Sequence, residues 1–225
     1  MTQIFPRATD AWVRRAAVIA LAAAVFAAAT LFFVARSGAH WRVGEAARQP
    51  IPFSHAIHAG QLNLDCRNCH NSVERAADAG MPTAQTCLGC HQNVWNVSPQ
   101  FAPLRTALAL DAPVAWASVN RLPDHVRFHH GAHTRAGVSC ATCHGAVWDT
   151  AQTVRAETLS MQFCVDCHRD PDPRRRPADA VFARVWGENE RRAATPAPLT
   201  GLGARTAVHG GVEVAAMTAC STCHR

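Results

Sequence analysis

The sequence contains no lysine and no tyrosine, so arginine supplies all 22 of its basic side chains. It shows no sustained alternation of apolar and polar residues, which argues against a fold built on β-sheet. It has only one long apolar run, which excludes a chain that crosses a membrane many times. The formal net charge of +6 is only a weak sign of an acidic partner. We expect the chain not to bind nucleic acid.

The apolar run covers Ala16–Ala35, twenty residues without a charge. A helix of about 20 apolar residues spans the hydrocarbon core of a lipid bilayer. Trp12 and Trp41 flank the run, where interfacial aromatic residues usually lie. The sequence therefore predicts a transmembrane anchor over residues 13–36, preceded by a short cytoplasmic tail at residues 1–12.

A cleaved signal peptide is the alternative interpretation of this run. Its apolar core would span about 7–15 residues and end at small residues near the cleavage site. The run here is longer, and the small residues that follow it, at Gly38–His40, match a cleavage site poorly. Both interpretations export the remainder of the chain. We expect a single-pass protein of the bacterial inner membrane with its main domain in the periplasm.

Ten cysteines form five pairs, each with two residues between its members and a histidine directly after. The pairs are Cys66/Cys69, Cys87/Cys90, Cys140/Cys143, Cys164/Cys167 and Cys220/Cys223, followed by His70, His91, His144, His168 and His224. Disulfides or zinc sites would also use paired cysteines, but neither requires a histidine after each pair. C-x-x-C-H is the attachment signature of c-type haem, in which the thiols form thioethers and the histidine binds the iron. The sequence therefore predicts five covalently bound haems c.

A haem that transfers electrons usually has a second axial ligand, most often histidine or methionine. An internal repeat, F-x-H-x-x-H followed by CxxCH, begins at Phe53 and again at Phe128. Its two histidines lie on one helical turn, from which they can reach two different haems. A further histidine stands eleven residues before Cys220, the offset that His55 has in the first repeat. The predicted sixth ligands are His55, His58, His130, His133 and His209.

Three further histidines fall outside this pattern: His40, His125 and His129. We expect them to be surface residues or partners of haem propionates. Methionine is the competing sixth ligand, and three methionines closely precede a CxxCH motif: Met81, Met161 and Met217. A methionine so near its own motif cannot easily reach the far face of the same haem. We expect these side chains to pack against porphyrin, with Met161 and Met217 as the alternatives to His209.

Motif spacing divides the chain into six segments. They are the cytoplasmic tail at 1–12, the anchor at 13–36, a first two-haem module at 43–97, a linker at 98–121, a second two-haem module at 122–172 and a C-terminal region with the fifth haem at 173–225. We expect a mostly irregular, multihaem cytochrome c domain with short helices near each motif. The haems would form most of its core, and their propionates would offset much of the positive charge. Arg174–Arg176 are among the expected propionate partners.

The repeat with its two CxxCH motifs resembles the small class III multihaem cytochromes c. The exported part is also similar to the membrane-anchored pentahaem subunit of alternative complex III, a bacterial quinol oxidoreductase. The matching stretches include "PIPFSHAIH" at Pro50, "LPDHVRFHHGAH" at Leu122, "LSMQFCVDCHRDP" at Leu159 and the terminal "CSTCHR". The sequence departs from the family pattern at His125, where an aromatic residue is expected.

The resemblance implies an electron-relay subunit of a respiratory or photosynthetic chain, without substrate chemistry of its own. Its partners would be an integral-membrane subunit that oxidises quinol, an iron–sulfur subunit, and a soluble or subunit cytochrome c as acceptor. A stand-alone multihaem quinol dehydrogenase is the main alternative. That family typically has CxxCHxM as its first motif, whereas this chain has "CRNCHNSV". A multihaem reductase would need a haem with an open axial position, and the five predicted sixth ligands leave none open.

The first prediction concerns the number of cofactors. Mass spectrometry of the intact protein from its native membrane should give the polypeptide mass plus five haems, because each thiol pair attaches one haem. Acid–acetone extraction should leave this mass unchanged, since thioether bonds are covalent. An unmodified polypeptide mass, or an increase that matches zinc, would contradict the prediction.

Overall fold

The computed structural model describes residues 7–95, 97–184, 208–209 and 212–224. The chain divides into two units, Met1–Val43 and Gly44–Arg225. The described residues of the first unit form one long helix followed by turns, and the second unit contains every CxxCH motif.

Helix α1, Arg7–Arg36, contains the whole apolar run, and its apolar side chains are exposed. Among the described residues it is the one helix long and apolar enough to cross a membrane, over Ala8–Arg36. A signal sequence near the N-terminus has the same properties, so α1 is a candidate for either role. At the C-terminal end of α1, the Ser37 hydroxyl donates a hydrogen bond to the carbonyl of Val34 at 2.7 Å. This bond satisfies one of the last four backbone carbonyls, which have no partner within a helix.

The second unit is built from short helices joined by irregular segments. Its α-helices are α2 (Ala84–His91), α3 (Ala102–Ala109), α4 (His130–Arg135), α5 (Cys140–His144), α6 (Met161–Arg169), α7 (Val214–Met217) and α8 (Cys220–Cys223). A π-helix covers Ala56–Gln61, and 3-10 turns cover Cys66–Asn68, Pro99–Phe101, Val147–Asp149, Asp172–Arg174 and Ala178–Ala180. Within the described ranges, the only paired strands are β1 (Val208–His209) and β2 (Val212–Glu213), which are antiparallel. The predicted fold class, mostly irregular with short helices, is confirmed.

The helices that carry CxxCH motifs begin and end close to the motif. Thr83 caps α2 by accepting from the Thr86 N–H at 3.4 Å, and Ser160 caps α6 by accepting from the Phe163 N–H at 3.3 Å. Gly145 follows α5 with φ at 66°, a conformation that glycine adopts without steric strain. Each motif histidine therefore stands at or next to a helix end.

The apolar core of the second unit is small. Its main cluster consists of Ile51, Ala84, Leu104, Ala107 and Val114. Leu104, on α3, is 1% exposed and is the one large side chain in the described residues that is fully buried. Cys87 and Leu88 of the second motif pack against this cluster. A unit of this size with so little buried apolar surface needs a further source of stability, which agrees with a core completed by cofactors.

The second prediction concerns this cluster. Leu104→Ala should lower the free energy of unfolding by about 2–5 kcal/mol, because it removes buried apolar surface and leaves a cavity. Thermal unfolding of the holoprotein, followed by far-UV circular dichroism, would measure the change. Leu110→Ala is the matched control, since Leu110 is 70% exposed and its loss should shift the midpoint little. Equal shifts in the two variants would show that the cluster is not the core.

Candidate haem-binding sites

Each CxxCH motif lies on one helical turn, and none of the ten cysteines forms a disulfide. The first motif begins on the 3-10 turn Cys66–Asn68, and the others lie on α2, α5, α6 and α8. Residues three and four apart are neighbours on such a turn, which places both thiols and the histidine on one side. In the described part of the chain, no group of three or more His, Cys, Asp or Glu side chains forms a metal cluster. Each candidate haem site is therefore built on the two cysteines and the histidine of one CxxCH motif.

In three motifs, the ring of the motif histidine faces the ring of a repeat histidine. The ring centroids are 6.1 Å apart for His58 and His91, 6.3 Å for His130 and His144, and 6.1 Å for His133 and His168. One metal between two imidazoles needs about 6 Å, because each metal–nitrogen bond is about 2.0–2.1 Å and each centroid lies about 1 Å behind its nitrogen. The three pairs therefore fit a haem iron held between two histidines.

His55 is the neighbour of His70, the histidine of the first motif. Burial, followed by charge repulsion from His70, lowers the pKa of His55 to about 4. Burial and then repulsion from His130 lower the pKa of His144 to about 4 as well. Both rings are therefore neutral near pH 7, and the neutral imidazole is the form that binds metals.

Backbone carbonyls orient the motif histidines through Nδ1. The Nδ1–carbonyl distances are 2.7 Å for His70 and Gly80, 3.1 Å for His91 and Val94, and 2.8 Å for His168 and Met217. A carbonyl oxygen can only accept, so Nδ1 carries the proton and Nε2 keeps its lone pair. Histidines that bind metals usually have this arrangement, in which the second nitrogen donates to a carbonyl or carboxylate.

The repeat histidines are held in the same way. Nδ1 lies 2.9 Å from the Ser54 carbonyl in His58, 2.9 Å from the His129 carbonyl in His133, 2.8 Å from the Ala77 carbonyl in His130 and 3.0 Å from the Thr153 hydroxyl in His55. The last two contacts link the two modules in both directions. Ala77 of the first module contacts His130 of the second, and Thr153 of the second module contacts His55 of the first. All four rings can thus present Nε2 to a metal.

His129 has the opposite hydrogen-bond pattern. Its Nδ1 accepts from the backbone N–H of Ala132 at 3.2 Å and so caps α4. In the neutral ring the proton is then on Nε2, which leaves no lone pair on that nitrogen. This geometry supports the prediction that His129 is not a ligand, even though it adjoins His130.

Asn120 takes the place of a carbonyl at the third motif. Its amide nitrogen lies 3.0 Å from His144 Nδ1, and its buried Oδ1 has no hydrogen-bond partner within the described ranges. Rotating the amide by a half-turn would let Oδ1 accept from the Nδ1–H of His144. In that orientation His144 has the same tautomer as the other motif histidines.

The phenylalanine of each repeat orients both histidines. Phe53 stacks on His58 at 4.5 Å and 26°, and Phe128 stacks on His133 with the same distance and angle. Each phenylalanine also meets the first histidine of its repeat edge-on, at 4.8 Å in one copy and 4.7 Å in the other. Two separate segments thus share one geometry, which supports the repeat as a structural unit.

The two repeats differ by one residue, and a π-helix absorbs the difference. The first copy has eleven positions from its first histidine to its first cysteine, and the second copy has ten. The first copy forms the π-helix Ala56–Gln61, with a bond from Leu62 N–H to the Ile57 carbonyl, whereas the second forms the α-helix α4. A π-turn contains one more residue than an α-turn. The histidines therefore keep the same geometry despite the insertion.

Thiols of different motifs interact in an unbroken series. Cys140 lowers the pKa of Cys66 and Cys66 raises the pKa of Cys140, so the first motif lies beside the third. The other neighbours are Cys69 with Cys87 and Cys90, Cys143 with Cys164 and Cys167, and Cys164 with Cys223. After burial, these neighbours contribute to raising the pKa values of Cys69, Cys87, Cys143 and Cys164. The motifs are therefore neighbours in the order second, first, third, fourth, fifth.

Two features near the motifs fit the carboxylates of a haem. The buried Nε1 of Trp116 has no partner among the described residues, and Trp116 packs on the same apolar cluster as Cys87. A cavity of about 390 Å³ beside the third motif is lined by residues that include Ser139, Thr142 and Arg174–Arg176. Propionates need N–H donors and guanidinium groups of this kind. The expected role of these arginines stays a prediction.

The structure leaves some predicted ligands untested and adds one residue. His209 lies in β1, but its side chain falls outside the described residues, so its role stays a prediction. Met81 and Met161 are 58% and 69% exposed. Sequence reasoning missed His125, whose ring lies 5.5 Å from that of His224 with 14° between the planes. The one feature of the sequence that marked His125 is that it stands where the family pattern has an aromatic residue.

Comparison with known proteins agrees with this geometry. Residues 51–102 and 126–225 match the family described as cytochrome c7 and related cytochrome c. The chain belongs to this family. This member of the cytochrome c7 family therefore binds haem c covalently at CxxCH motifs.

One curated relative of this cytochrome is a subunit of a larger enzyme. It is the multihaem cytochrome c subunit of menaquinone reductase from Nitratidesulfovibrio vulgaris strain Hildenborough. The two chains are 34% identical over 141 residues, which cover 53% of this chain and 67% of the relative.

The third prediction tests the paired histidines. His133→Ala should convert one haem from low spin to high spin, because it removes the ring that faces His168 at 6.1 Å. His129→Ala is the matched control on the same helix, and it should remove only a capping hydrogen bond worth about 1 kcal/mol. Electron paramagnetic resonance and the haem absorption spectrum of each variant would show the difference. A low-spin spectrum in His133→Ala would exclude this residue as a ligand.

Proposed function

We propose that this cytochrome binds five haems c and relays electrons as the membrane-anchored subunit of a quinol-oxidising complex similar to alternative complex III. The observation that carries the proposal is the unbroken series of neighbouring motifs, from the second to the fifth. Each bound haem supplies an iron that accepts and releases one electron. Cysteines of successive motifs lie close together, which supports short steps for an electron between neighbouring sites.

The paired histidines favour a relay over substrate chemistry. His58, His130 and His133 each face a motif histidine at the spacing for one metal between them. Imidazoles on both sides leave a substrate no position at the metal. The same arrangement argues against a multihaem reductase as the function of this chain.

We propose that a neighbouring subunit, and not this chain, oxidises quinol. Binding pockets bury most of the surface of a small ligand, and a single helix such as α1 provides only one wall. The first CxxCH motif also lacks the methionine that stand-alone quinol dehydrogenases place after it. We therefore propose an integral-membrane partner that oxidises quinol, an iron–sulfur partner, and a cytochrome c as acceptor.

Helix α1 provides the attachment to these partners. Its stretch Ala20–Thr30 is rich in alanine, and small side chains let membrane helices approach closely. We propose that α1 remains uncleaved and holds the haem-binding unit at the periplasmic face of the inner membrane.

The menaquinone reductase relative favours a second candidate, in which electrons flow in the opposite direction. A reduced periplasmic protein would then deliver electrons to this cytochrome, and the membrane partner would reduce menaquinone. The same series of haem sites serves either direction, because both functions need only a relay between the periplasm and the membrane.

The fourth prediction separates the relay from a stand-alone dehydrogenase. The purified cytochrome, with its haems intact, should not be reduced by a menaquinol analogue. The complex purified from native membranes should show rapid haem reduction that quinone-site inhibitors block. Stopped-flow absorbance at the haem bands would measure both reactions.

Two further outcomes would change the proposal. Rapid, inhibitor-sensitive reduction of the isolated cytochrome would favour the stand-alone dehydrogenase. If the complex is reduced only by a periplasmic electron donor and then forms menaquinol, the reductase direction is correct. Mass spectrometry of the co-purifying subunits provides an independent check on the proposed partners.

A further inference from the structure

The fifth motif is the one for which the histidines of the two F-x-H-x-x-H repeats supply no partner. The four histidines of the two repeats are each placed against a motif of the two modules. His224 of the fifth motif lies on the C-terminal side of α8 and has a different neighbour. The ring of His125 lies parallel to it, with 14° between the planes and 5.5 Å between the centroids.

The backbone brings these two histidines together. The N–H of Arg127 donates to the carbonyl of Cys223 at 2.7 Å, and Val126 forms an isolated antiparallel bridge with His224. These contacts join the start of the second module to the last motif of the chain. They fix which histidine of the second module approaches the fifth motif.

We propose that His125 is the sixth ligand of the fifth haem. The proposal rests on the proposed haem at Cys220 and Cys223. It gives every motif histidine one imidazole partner of its own: His55 for His70, His58 for His91, His130 for His144, His133 for His168 and His125 for His224. His125 thereby takes the role that sequence spacing assigns to His209.

The local structure lets His125 adjust to a metal. The 5.5 Å between the rings is about 0.6 Å less than in the closest other pairs, so binding an iron has to move the rings apart by that amount. His125 is exposed and occupies the third position of a tight turn, closed by the Val126 N–H and the Pro123 carbonyl at 2.9 Å. A side chain at the tip of a turn can make a shift of this size by rotating about its own bonds.

The assignment also ties the fifth haem to the second module. His168 Nδ1 lies 2.8 Å from the carbonyl of Met217, three residues before Cys220, so the fourth and fifth sites are already neighbours. With His125 as ligand, the two histidines of the fifth haem, His125 and His224, come from segments that are paired through backbone hydrogen bonds. The end of the haem series is then held by coordination as well as by the thioether bonds.

The test compares four variants of the full-length holoprotein: His125→Ala, His125→Met, His209→Ala and His129→Ala. Intact mass first establishes that each variant and the unmodified protein carry five haems. Electron paramagnetic resonance then gives the spin state of each haem, and potentiometric titration gives the reduction potentials. We expect one high-spin haem in His125→Ala and five low-spin haems in His209→Ala and in the control, His129→Ala.

The methionine variant provides a second readout in case the alanine variant does not mature. His125→Met should remain low-spin and raise the potential of one haem, because methionine ligation favours the reduced iron. Five low-spin haems in His125→Ala, or unchanged potentials in His125→Met, would overturn the assignment, as would a high-spin haem in His209→Ala. An unmodified protein with four haems would instead contradict the proposed function, since the fifth motif would then bear no haem.

Discussion

The distance between two imidazoles on one metal is the constraint on which this structure depends. Two histidines from different segments must come to about 6 Å, ring to ring, and each must turn Nε2 toward the space between them. The helices that carry the histidines satisfy this requirement by being short, since α2, α5, α6 and α8 each carry one motif, or most of one, and α4 carries the histidines of one repeat. The paired histidines therefore connect segments that lie far apart in the chain. In the proposed holoprotein, iron bound between these histidines adds to the small apolar core around Leu104.

The sequence was sufficient to predict covalent haem attachment, because local spacing alone determines a CxxCH motif. Two cysteines three residues apart, followed by histidine, define a motif on any helical turn. The histidines of F-x-H-x-x-H also stand on one turn, and the structure turns their rings toward two different motifs. Phe53 and Phe128 could be seen to repeat in the sequence, although their role in orienting the histidines becomes clear only from the stacking geometry.

The remaining features depend on tertiary structure or on the backbone. The partners of Nδ1 are mostly carbonyl oxygens, which every residue carries, so no side-chain pattern marks Gly80, Val94 or Ala77. The order of the motifs follows from contacts such as Cys66 with Cys140, between residues that are distant in sequence. His125 lies outside the repeat and reaches the fifth motif through a backbone pairing with α8. Spacing alone points to His209, whose side chain lies outside the described residues, because a constant offset is the only rule that the sequence offers for this motif.

The two modules meet head to head. Their first motifs touch through Cys66 and Cys140, and each module holds one histidine of the other, through Ala77 and Thr153. A further module inserted at this centre would break all of these contacts, whereas one added beside the second or the fourth motif would break none. The fifth motif lies beside the fourth and so leaves these central contacts intact. A change at either end of the series would therefore leave the contacts between the two modules in place.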